Sequence, residues 1–450
     1  MRRPHGVLTA VALAAFAAPV GAAEITRIAT AGEKGNPFEI DVSVRWDRFQ
    51  EHATIEHEQA SNPTASVPGG TVVLGERLSY ERTANAVVPR IAIGLHHDLE
   101  IHFELPYVLA DNTSWQYGTL YGNPSGPNPG DPTSIAGNTI TAQGTPCAVV
   151  PCPLFPVDPK ASVYHGGRAG DLVAGIAWGI FNDRKDPTGP FWIVGLDVTA
   201  PTSPLYEPGK DRGTDWSSPY SVPAKPGPFG EKIWKWDLYT TLSRRIGSVD
   251  PYVKAHVQFQ SPSANTYSNC RYADQLSAAG QMNVLAPANC QASGSDAGAQ
   301  LPWVVGMTVG TEVVPFEDVR DQQRLSIDFR LWGDYTSKQR FYNELSDATG
   351  KILQTEAYGE VGALAGLYLR TSKYLSLQAQ ASISTRTPHY LTGESLGKNG
   401  DWPPVNANGS TEDPSQMNPN FDWRYDAPGR RFRISEVSVF ALSFGAVILF

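Results

Sequence analysis

The 450-residue chain ends in FALSFGAVILF, residues 440–450. Counting back from the last residue, every second side chain is apolar: Phe450, Ile448, Ala446, Phe444, Leu442 and Phe440. The positions between them are small at Ala441, Ser443 and Gly445 and become apolar at Val447 and Leu449. Alternation with a period of two is the pattern of a β-strand that has one apolar face. The sequence therefore predicts that the chain ends in a strand whose last residue is aromatic.

The amino terminus carries the features of a secretory signal peptide. Arg2 and Arg3 precede an alanine-rich apolar run over residues 7–18, and Gly21 and Ala23 fit the two small positions of a cleavage site. The run is too short to span a membrane comfortably as a helix. We therefore predict a signal peptide over residues 1–23 and a single mature domain over residues 24–450.

Alternating strands recur between the two ends of the chain. The clearest lie at 38–47, 99–105, 253–260, 324–331 and 374–386. In the last of these, Leu377 belongs to the apolar face and Gln378 to the polar face. In a transmembrane β-barrel one face of each strand meets lipid and the other meets the lumen, so a bilayer selects this alternation.

The connections between strands fall into two length classes that alternate along the chain. Short turns are predicted at 96–98, 182–189, 246–250, 315–322 and 370–373. Long loops are predicted at 50–70, 111–168, 201–230, 261–300, 336–354 and 388–430. Outer-membrane barrels have this arrangement, with short periplasmic turns and long extracellular loops.

We therefore predict an all-β fold, a closed antiparallel transmembrane β-barrel in the outer membrane of a Gram-negative-type bacterium. The barrel has about twelve strands if residues 71–95 form one long strand. A break near residues 84–86 would add a strand and raise the number to fourteen, because single-chain bacterial barrels have even strand numbers.

Eight charged or titratable side chains on the polar faces of three strands are predicted to face the lumen. They are Glu100, His102, Glu104, Lys254, His256, Arg324, Asp328 and Arg330. A lumen of mixed charge can orient polar solutes, and rings of charge set selectivity in pores. In the alternative arrangement these charges pair across a narrow barrel and fill it.

The four cysteines lie in stretches typical of loops. They are Cys147, Cys152, Cys270 and Cys290. An exported chain meets an oxidising compartment, which favours disulfides. Three pairings are open, and we favour Cys147–Cys152 and Cys270–Cys290, each within one extracellular loop. No histidine lies near these cysteines at ligand spacing, which disfavours a zinc site.

The nine histidines are scattered along the chain and none forms a His-x-Ser pair, so a nucleophile with its base is not indicated. We therefore predict that the protein is not an enzyme and has no cofactor. His52 and His57 lie among Glu51, Glu56 and Glu58, a set that could bind a divalent cation. We favour a solvated polar extension of the first strands there, and hence no metal.

The charge balance excludes nucleic acid as a partner. Removing Arg2 and Arg3 with the signal peptide leaves 34 basic against 45 acidic residues, a net charge of −11. Nucleic-acid binding needs a concentrated basic surface.

Large aromatic residues are predicted near strand ends, where amphipathic rings prefer the lipid interface. They are Trp46, Trp178, Trp192, Trp234, Trp236, Trp303, Trp332 and Tyr374.

The terminal strand resembles the carboxy-terminal assembly signal of outer-membrane barrels, in which a terminal aromatic residue follows apolar residues at every second position. The resemblance implies that Phe444, Ile448 and Phe450 are recognised by the barrel assembly machinery.

The chain also resembles, in four local stretches, the transporter-like outer-membrane barrels associated with the meta-pathway of phenol degradation. The stretches are 93–111, 170–204, 236–259 and the terminal strand. Their motifs are Leu105-Pro106-Tyr107, Gly170-Asp171-Leu172, Pro201-Thr202-Ser203 and Asp250-Pro251-Tyr252-Val253. The resemblance implies a small-solute channel.

The sequence thus predicts an outer-membrane channel or transporter-like barrel that passes small solutes, aromatic or apolar ones among them. Its partners would be outer-membrane lipid, the assembly machinery and a small-molecule solute. One alternative is a barrel subunit of a larger export or electron-transfer complex, such as a polysaccharide export pore. Another is a structural or adhesive barrel that acts through its long loops.

Overall fold

A computed structural model of the chain is built almost entirely of β-strands. The structure describes residues 23–33, 36–61, 71–117, 160–182, 189–208, 226–271, 298–318, 320–398 and 417–450. Among these residues, no helix has the length and apolar character needed to cross a membrane.

Twelve strands form one closed antiparallel barrel in the described part of the chain. Their bounds are β1 Ile40–Ser61, β2 Thr71–His96, β3 Leu99–Glu104 with Tyr107–Tyr117, β4 Lys160–His165 with Arg168–Ala169 and Leu172–Phe181, β5 Phe191–Ala200, β6 Ile233–Ser243, β7 Val249–Pro262, β8 Val304–Asp318, β9 Gln323–Thr336, β10 Tyr358–Ser372, β11 Leu375–Arg386 and β12 Phe432–Leu449. Each strand pairs with the next, and β12 pairs with β1 from Phe432↔His57 to Leu449↔Asp41. The predicted twelve-stranded barrel is confirmed, with β2 unbroken.

Large apolar side chains cover the outside of the barrel. Those at least two-fifths exposed include Val44, Phe103, Leu109, Ile176, Leu238, Phe259, Met307, Phe329, Leu331, Val361, Leu367, Leu377 and Ile383. From the terminal strand, Phe444, Ile448 and Phe450 add to this surface. Water-soluble monomeric proteins rarely expose so large an apolar surface. A closed barrel leaves no strand edge unpaired and can therefore span a bilayer. The protein is an outer-membrane β-barrel.

Three of the four motifs that carry the family resemblance, those at 105–107, 170–172 and 201–203, meet at one corner of the barrel. Pro106 interrupts β3, and its carbonyl oxygen accepts a hydrogen bond from the Gly170 nitrogen at 2.7 Å, which joins β3 to β4 across the gap. Asp171 Oδ1 accepts from the Ser203 nitrogen at 2.8 Å and from Ser203 Oγ at 2.6 Å. These bonds fix the turn by which the chain leaves β5.

The bounds of two predicted loops are wrong, because the strands beside these loops are longer than expected. The first loop was expected from residue 50 and the second over 111–168, but β1 runs to Ser61, β3 runs to Tyr117 and β4 begins at Lys160. These extensions carry large apolar side chains that point inward and are buried, such as Ile55 and Trp115. A packing partner inside the barrel mouth therefore keeps the chain in strand conformation.

That packing partner is the segment 339–355, which lies between β9 and β10 and which we call the cap. It contains a two-stranded sheet, Gln339–Phe341 with Leu353–Thr355, and a short helix, Ser346–Thr349. The cap buries Leu345, Ala348 and Leu353 in one apolar cluster with inward side chains of β1 to β4: Ile55, Leu78, Tyr80, Trp115 and Val163. Trp115 Nε1 also donates to the Glu344 carbonyl oxygen at 2.9 Å.

The aromatic residues divide between the two faces of the barrel. Trp178, Trp236 and Trp303 are exposed on the outer surface, as predicted. The prediction that Trp332 lies at the lipid interface is wrong, because Trp332 shares the inner face of β9 with Arg330. Its ring lies over Gly362, where a Cβ atom would overlap it. A glycine on the neighbouring strand gives this indole room inside the lumen.

The predicted signal peptide and three of the cysteines lie outside the described residues, apart from Ala23. Those cysteines are Cys147, Cys152 and Cys290, whereas Cys270 follows β7. The two disulfides therefore stay predictions.

Candidate functional site

The inner wall of the barrel carries an extensive network of paired charges. His102 lies between two carboxylates, with Nδ1 3.0 Å from Glu100 Oε1 and Nε2 3.0 Å from Asp197 Oδ1. Arg90 completes the group, since its Nη2 lies 2.8 Å from Glu100 and its Nε lies 3.2 Å from Glu104. Glu100, His102 and Glu104 thus lie in the lumen as one cluster.

His256 on β7 repeats the same geometry. Its Nδ1 lies 3.3 Å from Asp237 Oδ1 and its Nε2 lies 3.2 Å from Asp334 Oδ1. Asp334 is two strands away from His256, and the strand between them presents Gly306, where a Cβ atom would overlap both side chains. Gly175 serves His102 and Asp197 in the same way. Each histidine reaches its second carboxylate because a glycine lies beneath the bond.

The remaining predicted lumen residues are also paired. Arg324 Nη2 donates to Glu312 Oε1 at 2.5 Å. Arg330 Nε donates to Asp328 Oδ2 at 2.5 Å. Lys254 Nζ lies 4.7 Å from the centroid of the Tyr239 ring. The structure therefore places all eight predicted residues on the inner wall, but each has a partner within the wall.

No sequence pattern indicates that the segment at residues 23–31 enters the lumen. This segment, which we call the plug, crosses the periplasmic end of the barrel from β1 to β8. Its side chains are mostly inaccessible, with Thr26 and Ala29 fully buried and Thr30 nearly so. The backbone of Thr30 lies against Gly94 of β2, where any Cβ atom would overlap it.

Polar contacts hold the plug to the wall. Arg27 Nη2 donates to Asp41 Oδ2 at 2.6 Å, and the Ala29 nitrogen donates to Glu100 Oε2 at 2.6 Å. At the far side, the Glu24 nitrogen donates to Glu312 Oε2 at 2.7 Å. Two of the predicted lumen clusters, those of Glu100 and Arg324, therefore bind the plug.

One apolar side chain adds to these contacts. Ile28 packs in a small cluster with Ala177, Phe191, Ile193 and Tyr239. Burying an isoleucine contributes about 1.5–3 kcal/mol, and a hydrogen bond adds about 0.5–1.5 kcal/mol net.

At the other end of the lumen, the ion pairs of Arg386 hold the cap to the barrel wall. Its Nη1 lies 2.6 Å from Glu51 Oε1 and 3.1 Å from Glu344 Oε1, and its Nε lies 3.1 Å from Glu360 Oε2. Glu344 belongs to the cap and the other two carboxylates belong to the wall. Arg386 therefore ties the cap to the barrel.

A chamber of about 590 Å³ lies in the lumen beside β1, β2, β3 and β10 to β12. Its apolar wall is formed by Phe49, Ala84, Ala86, Val108, Phe229, Leu364 and Ala441. Its polar wall is formed by Arg45, Asp47, Arg82, Asp111, Gln380, Ser382 and Ser443. A second cavity of about 260 Å³ shares Arg82, Asp111 and Phe229 with the chamber and extends towards the cap.

The charges in the chamber are paired but retain free donors. Arg45 Nε lies 2.9 Å from both oxygens of Asp47, and Arg82 binds Asp111 through Nε at 2.8 Å and Nη2 at 2.7 Å. Both arginine side chains remain about two-fifths exposed to the chamber. Their other N–H groups are available to donate hydrogen bonds to an oxygen acceptor of a solute.

In the first hairpin His52 is exposed, but Glu51, Glu56, His57 and Glu58 are buried, so the prediction of a solvated extension is wrong for these four residues. Glu51 binds Arg386, and Glu58 Oε1 lies 2.8 Å from Arg431 Nη2. His57 packs on Phe432, beyond the apolar belt, and burial lowers the pKa of its imidazole to about 4. Among the described residues, no group of three or more His, Cys, Asp or Glu side chains is arranged to hold a metal ion.

Comparison with known proteins adds the following findings. No protein family model matches the chain, and no curated protein sequence matches it. Solved structures that resemble it include an outer membrane channel from Pseudomonas putida, at 10% identity and a TM-score of 0.38, covering 91% of this chain and 95% of the other. A FadL homologue from Pseudomonas aeruginosa has 9% identity and a TM-score of 0.32, covering 91% of this chain and 90% of the other.

The β domain of the Bordetella autotransporter BrkA has 10% identity and a TM-score of 0.34, covering 91% of this chain and 99% of the other. At such low identities and TM-scores we draw no functional conclusion from these likenesses. The closed barrel stands on its own strand pairing, and the resemblance to the meta-pathway family stays a hypothesis.

Proposed function

We propose that the protein is a gated outer-membrane channel for small solutes and that the plug is its gate. The observation that carries the proposal is a chamber in the lumen of a barrel that holds two inserted segments, the plug at the periplasmic end and the cap at the extracellular end. Paired wall charges leave the chamber open, so the lumen is not filled by its own side chains.

The chamber walls favour small solutes with an apolar body and an oxygen acceptor. A volume of about 590 Å³ is within the usual range of small-molecule sites. One wall is apolar, and the free donors of Arg45 and Arg82 lie on the other. Because Asp47 and Asp111 neutralise these arginines, the site carries little net charge. Transport rather than catalysis is the function that this arrangement supports.

Deleting residues 24–31, with the signal peptide kept, tests the proposal. The contacts of the plug are together equivalent to more than one hydrogen bond, so the open fraction should rise at least about tenfold, which corresponds to about 1.4 kcal/mol. Single-channel recording in planar bilayers measures it, and Arg27→Gln should give a smaller rise of the same kind. Both variants should keep the heat-modifiable migration of a folded barrel. An unchanged open fraction in the folded deletion variant would refute gating by the plug.

A further inference from the structure

One contact of the plug is made by a backbone nitrogen that lies at the predicted cleavage site. The Glu24 nitrogen donates at 2.7 Å to Glu312 Oε2, and the Glu312 side chain is almost completely buried. In the full-length chain this nitrogen is a peptide N–H. Glu24 is also the residue that the predicted cleavage after Ala23 would leave as the first of the mature protein.

Carboxylate groups outnumber guanidinium groups around the plug. Four carboxylates contact the plug, namely Glu39, Asp41, Glu100 and Glu312. Two of them also bind a wall arginine, Glu100 with Arg90 and Glu312 with Arg324. The plug itself carries one acidic side chain, Glu24, and one basic side chain, Arg27, so its net charge is zero. An additional positive charge on the plug would therefore be stabilised by the wall.

We propose that signal-peptide cleavage after Ala23 creates the latch of the gate, an ion pair between the new α-ammonium group of Glu24 and the carboxylate of Glu312. Hydrolysis of the Ala23–Glu24 peptide bond adds the hydroxyl of water to the Ala23 carbonyl carbon and a hydrogen to the Glu24 nitrogen. The nitrogen then takes up a proton from water and becomes an ammonium group. This inference rests on the proposed function, because it assumes that the plug is the gate.

The surroundings of Glu312 suit two cations. Arg324 Nη2 occupies Oε1 at 2.5 Å, which leaves Oε2 for the ammonium group. A hydrogen bond between charged partners is roughly twice as strong as a neutral one. Cleavage removes the Ala23 carbonyl oxygen, to which both the nitrogen and Oγ1 of Thr26 donate at 2.9 Å in the full chain, but Thr26 Oγ1 keeps its contact with Ser243 Oγ at 3.1 Å. The cleaved chain gains, besides Arg27, a second positive charge on the plug where the wall is acidic.

Two variants of the full chain test the latch in planar bilayers. Glu312→Gln removes the charge of the acceptor, and a glycine inserted between Glu24 and Ile25 displaces the ammonium group while leaving Glu312 and Arg324 intact. Each should raise the open fraction about tenfold, as expected for loss of a hydrogen bond to a charged group. The double variant should show no further rise, because both changes break one interaction. Glu317→Gln, on the same strand and paired with Arg245, is the control and should leave the open fraction unchanged.

Intact-mass measurement of the purified protein should give Glu24 as its first residue. A mature chain that starts elsewhere would overturn the latch, and so would a glycine insertion that leaves the open fraction unchanged. Additive effects in the double variant would also overturn it. These outcomes are distinct from failure of the gate itself, which is read from the deletion of residues 24–31.

Discussion

Ala379→Arg should lower the free energy of unfolding of the barrel by about 2–4 kcal/mol, whereas Gln378→Arg should change it by less than about 1 kcal/mol. Ala379 lies at the centre of the outward positions of β11, which run from Leu375 to Ile383, so its side chain points into the middle of the bilayer. Gln378 faces the lumen, where it crosses over Gly445 of β12. A guanidinium is costly in lipid and is solvated in the lumen.

Urea titration of the barrel refolded into lipid vesicles measures the two free energies. The neighbouring positions make a matched pair, since both introduce the same side chain into the same strand. Greater destabilisation by Gln378→Arg would mean that the register of β11 is shifted by one residue.

Arg386→Met should release the cap. The substitution keeps an unbranched apolar stem but removes the guanidinium group, so Glu51, Glu344 and Glu360 are left together without their cation. Removing one partner of a buried ion pair costs about 3–5 kcal/mol, because the other partner stays buried and uncompensated. We expect the cap to detach while the barrel strands stay paired.

Hydrogen exchange resolved by mass spectrometry measures this release. Amides of residues 339–355 should lose protection in Arg386→Met, and amides of β8 and β9 should keep theirs. Arg433→Met on β12 is the control, since Arg433 has no ion-pair partner among the described residues. Equal protection of the cap in both variants would show that Arg386 does not hold it.

The barrel could be predicted from the sequence because its physics is local. Alternation within one strand is enough to place Leu377 outward and Gln378 inward. Each strand is stabilised separately, because its apolar face meets lipid and its polar face meets the lumen. The two classes of connection then fix the number of strands. The same alternation places Glu100 and His256 on the inner wall.

The gate could not be predicted, because its stability comes from contacts distant in sequence. Residues 24–31 have no strand or helix period, and the Glu24 nitrogen meets Glu312 only after the barrel has closed. The cap depends likewise on Ile55 and Trp115, whose inward apolar side chains depart from the polar lumen face that was expected. Such a departure is a usable signal: apolar residues on the inner face of a strand indicate that something packs inside.

The partners of the charged side chains in the lumen could not be predicted from the sequence either. Each histidine binds a carboxylate two strands away, and the bond depends on a glycine between them, at Gly175 or Gly306. Alternation indicates which face a side chain occupies, but register across three strands decides what it touches.

Locking the plug with a disulfide tests the gate most directly. Thr26 Oγ1 and Ser243 Oγ lie 3.1 Å apart, so cysteines at both positions, Thr26→Cys with Ser243→Cys, place two sulfur atoms within reach of a bond. In planar bilayers the oxidised double variant should show no openings, and reductant should restore the openings of the wild-type protein. The wild-type protein in the same reductant is the control for its own cysteines. Openings that continue in the fully cross-linked protein would contradict gating by the plug.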